Sequence, residues 1–214
     1  MKLRDRTPYQ GAELFCLSAQ NGTPQVAASA VPSLSIQPSV LVVVDSAVED
    51  YGALLAGVSA EARVAVLNRD RDGVAQITAL LRSRPEVDEL HIVSHGSPGT
   101  LYLGNGALSL STLDQYTPQL GSWFSGFRDT IPSLLLYGCS VAADDAGEEF
   151  VAKLHQLTGA DIAASSSLTG HAARGGSWNL DVVLGGQTPA LAIAPEVREA
   201  YSGVLASLSF QGPV

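Results

Sequence analysis

Apolar and polar positions fall along this chain in two rhythms. Short, mainly apolar runs occur at residues 40–44, 63–67, 89–94 and 133–137, with a briefer one at 161–164. Runs of that length, bounded by polar or turn residues, predict strands, and the most apolar of them predict strands buried on both faces. Between the runs, apolar residues recur at helical spacing. Tyr51, Leu54, Leu55 and Val58 mark one helix, and Val74, Ile77, Leu80 and Leu81 mark another over 73–84, stopped by Pro85. Leu113, Tyr116 and Leu120 mark a third over 111–127, where Pro118 and Gly121 are potential breaks. Phe150, Val151, Leu154 and Leu157 mark a fourth that turns helical from Asp145 and closes at Gly159, a residue suited to a left-handed cap. A last short helix is expected over 195–205. Residues 100–103 and 107–110 flank Gly104-Asn105-Gly106 and predict a hairpin, while 175–185 reads as an added edge strand or half of a second hairpin.

Strand and helix alternating with short connections predict a three-layer α/β/α fold: a mostly parallel sheet of about six strands, covered on both faces, with the hairpin following its third strand. Residues 1–39 carry Pro8, Pro24, Pro32 and Pro38 without sustained periodicity and predict a flexible arm or linker. The domain proper spans 40–205, and 206–214 form a tail.

Composition narrows the picture. A length of 214 residues suits one domain with a proper core, and aromatics at only 6% fit small crossover helices on a parallel sheet better than a sandwich. The net charge of −9, with no basic run interleaved with aromatics, excludes nucleic acid as the main partner. Two cysteines make no disulfide framework, and Cys16 falls in the arm, so Cys139 is expected as a free thiol. No stretch approaches the roughly 18 apolar residues of a membrane span. The patch Leu14-Phe15-Cys16-Leu17, next to Glu13, is too short for the core of an N-terminal signal peptide.

Two strand ends carry candidate chemistry. The third strand runs into Ser94-His95-Gly96, and the fourth into Gly138-Cys139-Ser140. The carboxyl edge of an open α/β sheet presents side chains on a rigid support. A cysteine nucleophile needs a partly exposed, polarising position with a base in reach, which His95 supplies if the two strands are neighbours; the first, third and fourth strands are then central. Backbone N–H groups of Gly96 and Cys139 are the candidate oxyanion donors, glycine letting the chain approach a substrate carbonyl closely. Taken singly, a strand-end cysteine is more often a buried structural residue. It is the pairing of two glycine-flanked strand ends that argues for a dyad.

The blocks Leu90-His91-Ile92-Val93-Ser94-His95-Gly96 and Leu134-Leu135-Leu136-Tyr137-Gly138-Cys139-Ser140 resemble those of the caspase-like cysteine peptidase clan, which includes caspases, metacaspases, gingipains, legumains and separase. Together with Ser165-Ser166-Ser167-Leu168-Thr169-Gly170 and Gly175-Gly176-Ser177-Trp178-Asn179-Leu180, they are also similar to a bacterial domain of unknown function found near the N-terminus of giant repeat-containing surface proteins. The resemblance spans about 40–205. It implies a caspase- or gingipain-like fold, a cysteine endopeptidase with His95 handling the proton and Cys139 as nucleophile, an extracellular or cell-surface setting, and a polypeptide substrate that includes the parent chain as a candidate. The caspase signature around the cysteine is absent, as is any counterpart of the arginine that reads a substrate aspartate.

The same resemblance implies a pocket for the residue before the scissile bond, walled by the ends of the first, fourth and fifth strands. Here that edge brings Asp45, Ser165, Ser166 and Ser167, with Asp181 on the segment that follows. A carboxylate on the pocket floor predicts cleavage after Arg or Lys, with Arg4, Arg6 and Arg174 as candidate internal sites; the competing expectation is that Asp45 only caps the following helix. His91, His155 and His171 read as structural or surface residues. No cofactor is required. Asp144, Asp145, Glu148 and Glu149 read first as an N-cap and favourable charge for a helix start, a regulatory calcium there being the lesser reading because EF-hand spacing is missing; zinc ligand spacing is missing too. A serine hydrolase using Ser94 or Ser97 lacks the Gly-x-Ser-x-Gly elbow. The alternative from another class is a catalytically silent α/β interaction or presentation domain of a bacterial adhesin.

Overall fold

The computed structural model describes residues 39–126, 130–186 and 189–206. The expected arm, apart from Ser39, and the expected tail, apart from Ala206, lie outside the described residues, as do Cys16, Arg4 and Arg6. In chain order the elements are β1 (Val40–Asp45), α1 (Tyr51–Leu55), β2 (Arg63–Leu67), α2 (Gly73–Arg82), β3 (Glu89–Val93), β4 (Gly96–Ser97), β5 (Thr100–Leu103), β6 (Gly106–Ser109), α3 (Leu113–Leu120), β7 (Ser133–Tyr137), α4 (Asp144–Thr158), β8 (Asp161–Ala164), a 3-10 turn (Ala172–Arg174), β9 (Val182–Leu184) and α5 (Pro195–Ala200).

Six strands make one sheet in the order β2-β1-β3-β7-β8-β9. The first five run parallel, and β9 closes the edge antiparallel to β8. Alternate side chains along the central strands enter two separate cores, because successive side chains of a strand point to opposite faces. Leu41, Val43, Leu90, Ile92, Leu134 and Leu136 pack with Ile77, Leu113, Phe150 and Leu154 of α2, α3 and α4. Val42, Val44, Val93, Leu135 and Tyr137 join Leu54 of α1 on the other face, with Val197 of α5 packed against them. The result is a three-layer α/β/α fold. Each fully buried aliphatic side chain contributes about 1.5–3 kcal/mol relative to exposure, and the central strands are buried along almost their whole length. At the edge, β2 differs: Val64 and Val66 are exposed and only Leu67 is fully buried, so one of its faces is open.

Local signals account for the helix limits. Asp72 caps α2 by accepting from the Ala75 amide, and Gly159 ends α4 with φ of 67°. The α4 start differs from expectation, because its N-cap is Ala143 and no side chain caps it; Asp144 and Asp145 supply charge in the first turn, and Glu149 pairs with Lys153 at 2.8 Å. The hairpin is β5 and β6, and β4 adds a third strand to form a separate small antiparallel sheet. The helix expected over 195–205 stops at Ala200, and 201–206 is extended. Ser202, Gly203 and β-branched Val204 favour that outcome, and the segment finds backbone partners elsewhere in the fold.

Inside the second core lies a buried polar chain. Glu89 Oε1 is 2.6 Å from His91 Nε2, and His91 Nδ1 is 2.8 Å from the Tyr137 hydroxyl. A carboxylate only accepts, so Nε2–H donates to Glu89 and, in that tautomer, the Tyr137 hydroxyl donates to Nδ1. Burial pushes the Tyr137 hydroxyl well above its ordinary range, with the Glu89 charge adding to the effect. His91 is thus a structural residue that ties β3 to β7 directly below the strand ends. Tyr137→Phe leaves its ring nitrogen unpaired in the core, and is expected to lower unfolding free energy by about 1–3 kcal/mol in urea melts without changing the far-UV spectrum.

Candidate active site at the carboxyl edge of the sheet

The pairing of β3 with β7 sets the site. Val93 is in register with Tyr137, and the Ser94 amide donates to the Tyr137 carbonyl at 3.1 Å. Continuing that register, His95 and Cys139 stand at matching positions just beyond two adjacent strands. Two glycines let the connections close up there. A Cβ on Gly96 would lie 2.9 Å from the Cys139 carbonyl oxygen, and one on Gly138 would lie 3.3 Å from the Gly96 Cα. Backbone meets backbone at that point, which only glycine permits. Immediately after the cysteine, Ser140 takes φ of 56°, an uncommon value for a residue with a side chain, held by its amide bonding Ser167 O at 2.7 Å.

The histidine is oriented by a backbone carbonyl. His95 Nε2 lies 3.1 Å from Ala47 O, in the connection between β1 and α1. A carbonyl only accepts, so Nε2 carries the hydrogen and the neutral ring offers Nδ1 as its acceptor. Nδ1 is buried and has no hydrogen-bond partner among the described residues. That is a base with its lone pair unspent. Nothing at the level of residue spacing points to Ala47, because it contributes only its main chain.

Cys139 is a free thiol and is 2% exposed. The expectation of a partly exposed cysteine is therefore not met. Its cover comes from two later segments. Thr169 brackets the sulfur, its amide 3.2 Å and its carbonyl oxygen 3.5 Å from Sγ, and residues 201–206 run past the same point. Burial pushes the thiol up to about 11, with backbone amides of Thr169 and Leu205 pulling the other way.

The two amides singled out as oxyanion donors converge on one atom. Gly96 N–H and Cys139 N–H both point to Leu205 O, at 3.0 and 3.4 Å. The Leu205 amide donates to Thr169 O at 2.8 Å, and His171 N–H donates to Gly203 O at 2.8 Å, so residues 203–205 lie antiparallel to 169–171. Gly170, with φ of 136°, permits the approach, since a Cβ there would lie 2.4 Å from Gly203 O.

The pocket residues are placed less simply. Asp45 is 2% exposed, and both its oxygens are used, one by the Ala47 amide at 2.8 Å and one by the Gly104 amide at 2.5 Å. It pins the hairpin to β1, and its side chain does not cap α1, whose N-cap is Asp50. Ser165 is buried and bonds Ser167 within the loop after β8, where Ser140 and Ala142 also attach. Asp181 is exposed and holds the Ser166 amide at 2.9 Å and its hydroxyl. Burial pushes the Asp181 carboxyl up, the Ser166 bonds more than offset it, and it ends below its ordinary value. Neither carboxylate is thus an unengaged pocket floor. Ser94 is buried with its hydroxyl on His95 O, and Ser97 Oγ lies 3.3 Å from the Tyr102 hydroxyl. His155 Nδ1 bonds Ala160 O, and His171 accepts from the Ala173 amide, so neither of these nitrogens is spent on His95 or Cys139. Arg174 is exposed. Among the described residues no group of three His, Cys, Asp or Glu side chains is placed to hold a metal ion, and no helix is long and apolar enough to cross a membrane.

Fold and edge together define an α/β/α domain with a histidine and a cysteine presented side by side at the carboxyl ends of adjacent parallel strands. Residues 41–205 match the family described as Domain of unknown function (DUF4347), and the chain belongs to that family. No curated protein matches the chain.

Two outcomes test this geometry. Labelling of Cys139 by iodoacetamide should be slow near neutral pH and should keep rising as pH passes 9 toward 11, because the thiolate forms only as pH approaches the raised value. Gly170→Ala should dislodge residues 203–205 and speed that labelling, at a cost of about 1–3 kcal/mol in stability; unchanged labelling would mean that the segment is not the cover.

Proposed function

We propose that the domain is a caspase-like cysteine endopeptidase and acts as the processing module of a larger secreted or surface protein. The single observation that carries this reading is the convergence of the Gly96 and Cys139 amides on one carbonyl oxygen beside the Cys139 thiol. Acyl transfer needs a nucleophile, a base and preorganised donors where negative charge develops. The Cys139 thiol, the unpartnered His95 Nδ1 and the two amides support that reading, and since Sγ bonds Thr169 and not Nδ1, the reaction requires the two side chains to approach. His95 Nδ1 takes the thiol proton, Ala47 O keeps the ring in the required tautomer, and Sγ attacks a peptide carbonyl whose oxygen lies between the two amides. The tetrahedral species collapses to a thioester as His95 returns the proton to the leaving amine, and water then releases the acid. The substrate is a polypeptide, and the extracellular or surface setting follows from the family resemblance. Cleavage after Arg or Lys has little support, because Asp45 and Asp181 already spend their oxygens on backbone and serine donors.

The sealed thiol favours a second reading, a catalytically silent interaction or presentation domain of an adhesin in which residues 201–206 are simply a covering strand. The two separate on dependence. Wild type, Cys139→Ser and His95→Ala are incubated alone and with a disordered polypeptide, and all products are mapped by mass spectrometry. The peptidase reading expects cleavage that falls by more than about 10³-fold in each variant. Identical products in all three, or none in any, would leave the silent module standing.

A further inference from the structure

The carbonyl held by the two donor amides belongs to this chain. We propose that the Leu205–Ala206 peptide bond is the domain's own scissile bond, seated in cis, an inference that rests on the peptidase reading above.

Three features make residues 203–206 a seated substrate more than a packed end. The first is the position of the carbonyl. Gly96 N–H at 3.0 Å and Cys139 N–H at 3.4 Å address the same oxygen, and the longer contact is the one expected to tighten as the carbon becomes tetrahedral, because such donors are set for the oxyanion and not for the ground-state carbonyl.

The second is how the preceding residues are gripped. Leu205 N–H donates to Thr169 O, Gly203 O accepts from His171 N–H, and Val204 faces Gly170 in an antiparallel bridge. This is strand addition, in which the main chain supplies affinity and alternate side chains supply specificity. On the far side of the bond, Ala206 forms a parallel bridge with Gly96, the residue after the base. The chain therefore passes from the 169–171 strand, over Cys139, to the histidine segment. A scissile bond must follow that route to reach both nucleophile and proton donor.

The third is the side chain before the bond. Leu205 is fully buried, in the same cluster as Val44, Tyr137, Ala163 and Leu180. Its site is apolar, and the carboxylates of Asp45 and Asp181 are engaged elsewhere. An apolar residue fits this pocket, and a charged one would be stranded there.

The step balances without a further reagent. Cys139 Sγ gives its proton to His95 Nδ1 and bonds the Leu205 carbonyl carbon. The bond from that carbon to Ala206 N breaks as His95 protonates the amine, which leaves a Leu205 thioester and a free Ala206 N-terminus. Water hydrolyses the thioester, yielding a Leu205 carboxylate and the restored thiol.

The test uses the full chain, followed by intact mass and N-terminal sequencing. The expected products end at Leu205 and begin at Ala206, their masses summing to the intact chain plus one water. Formation should fall by more than about 10³-fold in Cys139→Ser, be lost in Leu205→Asp, and persist in Leu205→Met, with circular dichroism showing each variant folded. A Cys139-dependent cut at any other bond overturns this proposal and leaves the peptidase reading intact. So does an uncut chain whose Cys139 labelling still falls in His95→Ala. An uncut chain whose labelling ignores His95 overturns both.

Discussion

Parallel pairing of β3 with β7 is the constraint on which everything else depends. The register that puts Val93 opposite Tyr137 carries His95 and Cys139 to the same level of the same edge, and a slip of one residue would send one of them to the opposite face. Several devices hold that register. The leucines of both strands, with Ile92 and Val93 of β3, are buried on the two faces of the sheet, and His91, bridging Glu89 and Tyr137, ties the two strands by side chains as well as backbone. Gly96 and Gly138 then let the two connections touch beyond the strands.

Burial has opposite effects on the scaffold and on the chemistry. In the sheet it supplies stability, whereas at the edge it keeps Cys139 protonated. A thiol pushed up to about 11 is a poor nucleophile on its own, so the proposed reaction requires proton transfer to His95 to accompany attack. The unspent Nδ1 of His95, held by Ala47 behind it, suits that coupling. The segment that covers the thiol is also the one whose carbonyl the donor amides hold. The silent module and the self-cleaving peptidase therefore share one static geometry and differ only in whether the bond breaks.

The sequence made the central strands legible because 40–44, 89–94 and 133–137 are apolar enough to be buried on both faces, and the glycines beside His95 and Cys139 marked their ends as close approaches. It did not reveal residues 201–206. Tyr201, Val204 and Leu205 follow a good helix start at Pro195, and only Ser202 and Gly203 argue for a break, while the partners that draw the segment out, Thr169 and His171, lie about thirty residues earlier in the chain. Ala47 was invisible for a similar reason, since a main-chain carbonyl leaves no trace in residue type. The engagement of Asp45 was hidden as well, because its partner, the Gly104 amide, comes from the hairpin and not from its own neighbourhood. Local pattern foretells elements, whereas contacts between distant loops are decided by the fold.

The most direct measurement is a hydroxylamine trap on the intact chain. If this edge performs acyl transfer, the thioester between Leu205 and Cys139 is intercepted, and mass spectrometry finds a hydroxamate in place of the carboxylate at the new C-terminus, absent in Cys139→Ser. Hydroxylamine also cuts Asn21-Gly22 and Asn105-Gly106 independently of the thiol, so the deciding product is Cys139-dependent; finding no hydroxamate that disappears in Cys139→Ser would contradict the account.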